Sequence, residues 1–439
     1  MTYDEAVARL LALRGGEHAG MRPGLERIEG LLAALGDPHA RYTLVQVGGT
    51  NGKGSVAAML AAMLKAAGRR VGLYTSPHLV SFRERIRVDA EPISEDAVVD
   101  GVDALGTLIA RFDATMFEAA TALALDHFAR ESVDIAVLEV GLGGRLDATT
   151  VGTPAATVLS RIDRDHEAYL GTTLAAIAAE KAAIIRAGVA LAAAQAPGVT
   201  EILVQRAATV GVPLQLEGRE LHVNVQSRSL AGQIIGCRGP DFTLDGLRLP
   251  LLGTYQPSNA LLAVAAAHHL GAGEGAIRAG LARARWPGRF QVLGRQPTLV
   301  LDAAHNPAGA RALAASLREY FSDTPLTLVV AILRDKDAAA VLAELVPLAR
   351  RLILTRTSNP RAATPETLRQ LAPSPGPVID TAPSVAEALA MATAPPTTPV
   401  VCVAGSVSLV GDALAYLQGG RATPCPVEAA AESTGSLRS

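Results

Sequence analysis

Apolar residues along the chain cluster in short runs rich in Val, Ile and Leu, and these alternate with longer alanine-rich stretches of helical spacing. A run that is apolar throughout predicts a strand buried on both faces, and its alternation with helices predicts a parallel α/β sheet. Strands are predicted at 43–47, 70–75, 134–140, 156–161 and 189–194, and the same alternation restarts at 298–302, 326–332, 352–356 and 400–404. Between the two sets, residues 212–250 carry more glycine and polar residues and predict antiparallel strands. The segment Trp286-Pro287-Gly288-Arg289-Phe290 follows a helical stretch and precedes the second set, so a boundary is expected there, with one domain over 1–285 and a smaller one over 286–418. Residues 419–439 have no periodicity and predict a disordered tail.

Composition narrows the partners. A length of 439 residues allows two or three domains with cores of their own. Formal net charge is −2, which argues against a nucleic-acid partner or an anionic membrane surface. Apolar residues reach 49%, yet their runs fall far short of the ~20 positions that span a bilayer. Met1-Thr2-Tyr3-Asp4-Glu5 lacks the basic start of a secretory leader. Cys237, Cys402 and Cys425 are scattered, without zinc spacing, and fit a reducing cytoplasm.

The strongest local signal is Gly49-Thr50-Asn51-Gly52-Lys53-Gly54-Ser55, between the strand at 43–47 and a helical stretch from Val56 to Ala67. Glycines between strand and helix let backbone N–H groups turn toward phosphate oxygens, and the helix N-terminus adds partial positive charge. Lys53 can reach the terminal phosphates and Ser55 can face a metal, although Gly54 separates them where a hydroxyl residue usually follows the lysine directly. Glu139 closes the strand at 134–140, where ligands bind in open α/β sheets and a carboxylate can hold a cation. His166 leaves another strand end among the carboxylates Asp163 and Asp165. Lys181 shares an apolar helix face with Ile177, Ile184 and Ile185, so its amine is expected to be poorly solvated, hence nucleophilic and open to carbamate formation by carbon dioxide. Ser76, in Ser76-Pro77-His78-Leu79, offers a hydroxyl at a further strand end.

Together these segments resemble the folylpolyglutamate synthases, including the bacterial type that also makes dihydrofolate, within the Mur-type amide-bond ligases. The resemblance runs from Tyr3 to about Leu417 and also rests on Phe117-Glu118, Glu139-Val140-Gly141-Leu142-Gly143-Gly144-Arg145-Leu146-Asp147-Ala148-Thr149, Asp163-Arg164-Asp165-His166, Glu180-Lys181-Ala182 and Gly253-Thr254-Tyr255-Gln256 with Asn259. Pro287-Gly288-Arg289-Phe290-Gln291, Asp302-Ala303-Ala304-His305-Asn306-Pro307, Asp335-Lys336-Asp337 and Gly405-Ser406 complete it. Thr150 replaces a usual asparagine, and Ser406-Val407-Ser408 lacks the aromatic residue common there.

The resemblance implies a P-loop parallel-sheet ATPase domain with a small antiparallel sheet, followed by a smaller Rossmann-like α/β domain. It implies ATP-dependent joining of L-glutamate to dihydropteroate or reduced folates through an acyl phosphate. ATP would be held by Gly49 to Ser55, Asn259, Arg289 and Asp302, and Ser76, Glu139 and His166 would ligate metal. Lys53, His166 and Lys181 would be catalytic, with Lys181 carbamylated beside a second magnesium ion. A monovalent cation is a further option. His305 and Ser406 are candidates for the glutamate carboxylates, and Arg27, Thr115, Phe117, Arg145 and Asp147 for the pterin acid. A monomer is expected. A cell-wall precursor ligase is the rival reading; it would need an additional N-terminal domain, for which fewer than 50 residues precede the glycine loop.

Overall fold

The computed structural model describes residues 1–13, 24–294 and 296–419, so the expected tail at 419–439, with Cys425, lies outside the described residues but for its first position. The first sheet contains β1 (Thr43–Gly48), β2 (Val71–Tyr74), β3 (Ile86–Val88), β4 (Glu91–Pro92), β5 (Ile135–Glu139), β6 (Pro154–Leu159), β7 (Val189–Ala192) and β8 (Leu214–Leu216), in the order β4-β3-β2-β5-β1-β6-β7-β8. From β2 to β8 in that order neighbouring strands are parallel, and only the β2–β3 and β3–β4 pairings at one edge are antiparallel. β1 lies between β5 and β6, so the loops leaving these three strands emerge side by side above the middle of the sheet. That adjacency brings together sequence segments around residues 50, 140 and 163.

Helices cover both faces, which is why β5 is buried along its whole length. On one face the helix Lys53–Ala66 packs with Gln256–His269 and Glu274–Arg283 in a core around Met59, Met63, Leu261 and Leu281. On the other, Tyr3–Leu11, Glu26–Ala34, Glu95–Phe112 and Met116–Arg130 enclose Leu10, Leu31, Phe82 and Phe128. A small antiparallel sheet of β9 (His222–Ser229), β10 (Gly232–Gly239) and β11 (Phe242–Leu249) joins the first of these cores through Ile235, Leu244 and Leu247.

The third sheet holds β12 (Gln291–Leu293), β13 (Thr298–Asp302), β14 (Leu326–Val330), β15 (Arg351–Leu354), β16 (Val378–Thr381) and β17 (Val400–Ala404), in the order β12-β13-β17-β14-β15-β16. All its pairings are parallel except β12 with β13. The chain is thus built from two α/β units, and no helix among the described residues is long and apolar enough to cross a membrane.

The expectation of antiparallel strands from 212 onward is corrected at its start. Residues Leu214–Leu216 extend the first sheet, parallel to β7, because Leu216 is drawn into the same core as Leu203 and Val212. β3, β4, β12 and β16 were not foreseen. They are short or partly exposed edge strands, and β16 has the pattern exposed, intermediate, intermediate, exposed, without the apolar run that marks a central strand.

Candidate active site

A cavity of about 640 Å³ opens where the carboxyl ends of β1, β5 and β6 face those of β13, β14 and β17. Its first wall is the glycine loop. Gly49 has φ +127 and Gly52 φ +98, in the left-handed region that favours glycine. A Cβ at Gly49 would lie 2.1 Å from Ser160 Oγ and 2.9 Å from the Ser160 carbonyl oxygen, and one at Gly52 would lie 2.5 Å from Asn259 Oδ1. No side chain caps the helix Lys53–Ala66, so its first N–H groups face the cavity as donors for an anion. Thr50 Oγ1 donates to the Asp163 carbonyl (2.9 Å) and accepts from the Asp163 N–H (3.0 Å), pinning the loop to the exit of β6. Lys53 Nζ donates to the Thr50 carbonyl at 3.1 Å. Ser55 Oγ accepts from Gln256 Nε2 at 3.2 Å, and Asn259 donates to Gln256 Oε1 at 3.1 Å, so the loop also rests on the helix Gln256–His269. Beneath Gly54 lies the Trp286 ring, whose nearest atoms are 2.6–2.9 Å from where a Cβ on Gly54 would stand.

Glu139 ends β5 beside this loop, 6% exposed, and accepts from the Ser76 N–H at 3.2 Å. Burial raises the pKa of its carboxyl, and the Lys53 charge and the Ser76 N–H oppose that rise. Glu139 and Ser76 therefore adjoin, whereas His166 stands on the β6 exit loop with φ 54 and its Nε2 3.8 Å from Asp165 Oδ2. Among the described residues no group of three or more His, Cys, Asp or Glu side chains is set to hold a metal alone. A buried carboxylate with a neighbouring hydroxyl suits Mg²⁺, which takes one or two carboxylates and completes its shell with phosphate oxygens and water.

Lys181 is 5% exposed and donates from Nζ to the Gly49 carbonyl at 2.8 Å. Burial, followed by the charge of Lys53, pulls its pKa down to about 7, with Asp165 and Asp147 acting in the opposite sense. Near neutral pH about half of such amines carry a free lone pair.

The second unit supplies the opposite wall. Asp302, 4% exposed, accepts from Tyr255 Oη, the Phe290 N–H and the Ala304 N–H, each at 2.8 Å. Burial raises its pKa, and the opposing charge of Arg289, which lines the cavity, offsets only part of that rise. His305 shares its Nδ1 with the Ala303 carbonyl (2.9 Å) and places Nε2 3.4 Å from Asp165 Oδ2. Ser406 caps the helix Val407–Leu417 by accepting the Leu409 N–H at 3.1 Å.

Every site residue expected from the sequence lines this cavity except Gly49, Arg27 and Arg145. Gly49 forms the base of the loop, behind the lining. Arg27 is turned to Glu118 (Nε to Oε1, 3.0 Å), and Arg145 to Glu180 with more than half of its side chain exposed. Thr115, Phe117 and Asp147 do border the cavity; Thr115 forms a capping box with Glu118, and Asp147 accepts from the Leu142 (2.8 Å) and Thr149 (3.0 Å) N–H groups.

Sequence reasoning assigned no role to Asp165, Lys336 or Tyr255, which line the cavity, or to Asn306, which is buried behind the lining and donates to Asp165. Although burial works to raise it, the Asp165 carboxyl is held well below the usual range by His305, His166 and Lys336. All four stand in motif segments of the sequence, but the pairings of Asp165 with Asn306 and with Lys336 join positions 141 and 171 residues apart.

Two family models match the chain. Residues 47–267 match the Mur ligase middle domain, and residues 288–407 match the Mur ligase glutamate ligase domain. The dihydrofolate synthase/folylpolyglutamate synthase of Mycobacterium tuberculosis is 38% identical over 373 residues, covering 79% of this chain and 77% of that protein. The probable bifunctional folylpolyglutamate synthase/dihydropteroate synthase of Haloferax volcanii is 39% identical over 426 residues, covering 94% of this chain and 50% of that protein, so the chain spans about half the length of that relative. Among solved structures, E. coli FolC in complex with DHPP and ADP superposes with a TM-score of 0.87 at 31% identity, covering 95% of this chain and 98% of that one.

Proposed function

The chain belongs to the Mur ligase family, in its dihydrofolate synthase/folylpolyglutamate synthase branch, and from that premise we propose that it joins L-glutamate to dihydropteroate, to reduced folyl-glutamates, or to both, at the expense of ATP. The observation that carries this reading is the single cavity in which a glycine loop with Lys53 faces Arg289, Asp302 and His305 of the other unit. Two carboxylate-bearing substrates and a triphosphate need such a site, because bringing their charges together requires fixed cations and oriented donors.

In the proposed reaction the acceptor carboxylate attacks the γ-phosphorus and the bond to the β-phosphate oxygen breaks, giving an acyl phosphate and ADP. The glutamate nitrogen then attacks the acyl carbon, phosphate leaves, and the nitrogen gives up a proton. Lys53 and the loop N–H groups hold the phosphates in line. Glu139 and Ser76 would be the first ligands for magnesium, and His166 and a carbamylated Lys181 would serve a second ion. Bound magnesium supplies positive charge to the transferring phosphoryl oxygens. Carbamate formation joins Lys181 Nζ to the carbon of carbon dioxide with loss of one proton, and the pKa of about 7 makes the neutral amine available for it. Arg289 and Asp302 complete the nucleotide site from the second unit, so chemistry waits for the two units to meet. Thr115, Phe117 and Asp147 border the space assigned to the pterin acid, and Ser406 with the second-unit wall borders that assigned to glutamate. We place the domains at 1–285 and 286–418 and the protein, as a monomer, in the cytoplasm.

The test is incorporation of labelled glutamate by purified protein with ATP and, in separate reactions, dihydropteroate, a tetrahydrofolyl-glutamate and a cell-wall sugar-nucleotide acid. Product with either pterin acid, one ADP per glutamate joined, and transfer of ¹⁸O from the acceptor carboxylate to phosphate are expected. Incorporation into the sugar nucleotide alone, or into none of the three, overturns the reading.

A further inference from the structure

A ring of hydrogen bonds ties the glycine loop to the second unit, and the proposed chemistry makes no use of it. Asn51 Nδ2 donates to Asn306 Oδ1 at 3.0 Å, and Asn306 Nδ2 donates back to Asn51 Oδ1 at 3.1 Å. The second amide hydrogen of Asn306 goes to Asp165 Oδ2 at 2.8 Å, and its second lone pair takes the Gly309 N–H at 2.8 Å, capping the helix Pro307–Phe321. A side-chain amide has two donors and two acceptor positions. Asn306, 2% exposed, has committed all of them within the protein.

Asp165 is the other fixed point. It accepts from Lys336 Nζ at 2.7 Å and faces His305 at 3.4 Å, so second-unit side chains surround a carboxylate of the first unit. Two residues earlier, Asp163 grips Thr50 through its own backbone N–H and carbonyl. The path Thr50, Asp163, Asp165, Asn306, Asn51 therefore closes on itself. Four of its five members belong to the first unit, and Asn306 is the closing piece from the second. Asn51 also stands between Gly49 and Gly52, the two loop residues with positive φ, where the backbone has the most freedom to lose.

We propose that Asn51, Asn306 and Asp165 are positioning residues forming a clasp that sets the phosphate loop in its working shape only while the two units are in contact. In this role the Asn51 side chain serves closure and leaves phosphate binding to the loop backbone and Lys53. The proposal rests on the assignment of Gly49 to Ser55 as the ATP site.

Asn306→Asp separates the clasp from the helix cap. Aspartate caps a helix as well as asparagine does, but it can donate to neither Asn51 nor Asp165 and sets a like charge against Asp165. Asn51→Ala, on the side without a cap, is the second variant. Each would be examined for melting temperature, affinity for a non-hydrolysable ATP analogue by calorimetry, radius of gyration by solution X-ray scattering with and without that analogue, and steady-state turnover. Both variants are expected to melt within about 2 °C of the wild type and to bind the analogue within about threefold of wild-type affinity. Analogue-induced compaction should be lost, with kcat down about 10–100-fold and the KM for glutamate raised, as for the loss of a few polar contacts in the closed state alone. Wild-type compaction in both variants, or wild-type kcat and KM, overturns the clasp. A wild-type protein that fails to bind the analogue overturns the ATP-site reading and the proposal with it, a result distinguishable from failure of the clasp alone.

Discussion

Lys181 offers the sharpest physical test, because its charge and its function pull in opposite directions. Burial and the neighbouring Lys53 lower its pKa from the usual 10.5 to about 7. At about 1.4 kcal/mol for each factor of ten, a protonated Lys181 costs the folded state about 5 kcal/mol. Lys181→Met keeps the length of the stem and its contact with the apolar face around Ile177, while the Gly49 carbonyl loses its 2.8 Å donor, a loss of about 1–2 kcal/mol. In bicarbonate-free buffer at pH 6 the methionine variant should therefore be more stable by about 3 kcal/mol, although inactive. Between pH 7 and 10.5 the unfolded chain binds a proton that the folded chain does not, so wild-type stability rises with pH through that window and the gap closes. Urea unfolding of the first unit, followed by circular dichroism at pH 6, 7.5 and 9, measures it. A methionine variant less stable than wild type at pH 6, or a gap unchanged between pH 6 and 9, would refute the argument that Lys181 is buried at a cost in charge.

Three further outcomes are expected. Lys53→Ala should lower turnover about a thousandfold with folding intact, the scale of losing a cation aimed at a transferring phosphoryl group, and more than about a tenth of wild-type turnover would count against the loop as the ATP site. Arg289→Ala should lower kcat as well as raise the KM for ATP, since the residue joins the nucleotide site from the second unit; unchanged kinetics at saturating and limiting ATP would mark it as a solvated linker charge. Gly49→Ala should impair ATP use more than Gly52→Ala, because the added methyl meets the Ser160 backbone in the first case and only the Asn259 side chain in the second; the reverse ranking in ATP KM would contradict the loop geometry.

What could be read from the sequence follows from how far apart the determining contacts lie. β1, the glycine loop and the helix after it form one continuous stretch, and the strands buried on both faces announce themselves as apolar runs. β12 and β16 gain their conformation from a neighbour along one edge, so their own residues carry little of the signal. At the site, Glu139 and Lys181 were visible through a strand end and an apolar helix face. Arg27 and Arg145 looked equally eligible, yet Glu118 and Glu180 claim them, and nothing local to either arginine predicts that pairing. Asp165 and Lys336 become partners only when β6 and β14 are brought end to end across the cavity.

Trp286 is the one tryptophan in the chain, and its indole lies against Gly54 at the start of the helix Lys53–Ala66, with the Arg87 guanidinium carbon 5.9 Å from the ring centre. Its indole N–H is buried without an acceptor. The molecule thus carries a single indole, excitable apart from the tyrosines at the red edge of the protein absorption band, at the junction of linker and phosphate loop. Indole emission shifts with the field and polarity around the ring, so the arrival of a polyphosphate a few residues away should change the ultraviolet emission of the unlabelled protein. Mixed rapidly with nucleotide in a stopped-flow cell, the native chain could report loop occupancy and unit closure as separate phases in time, with no dye or engineered residue near the site.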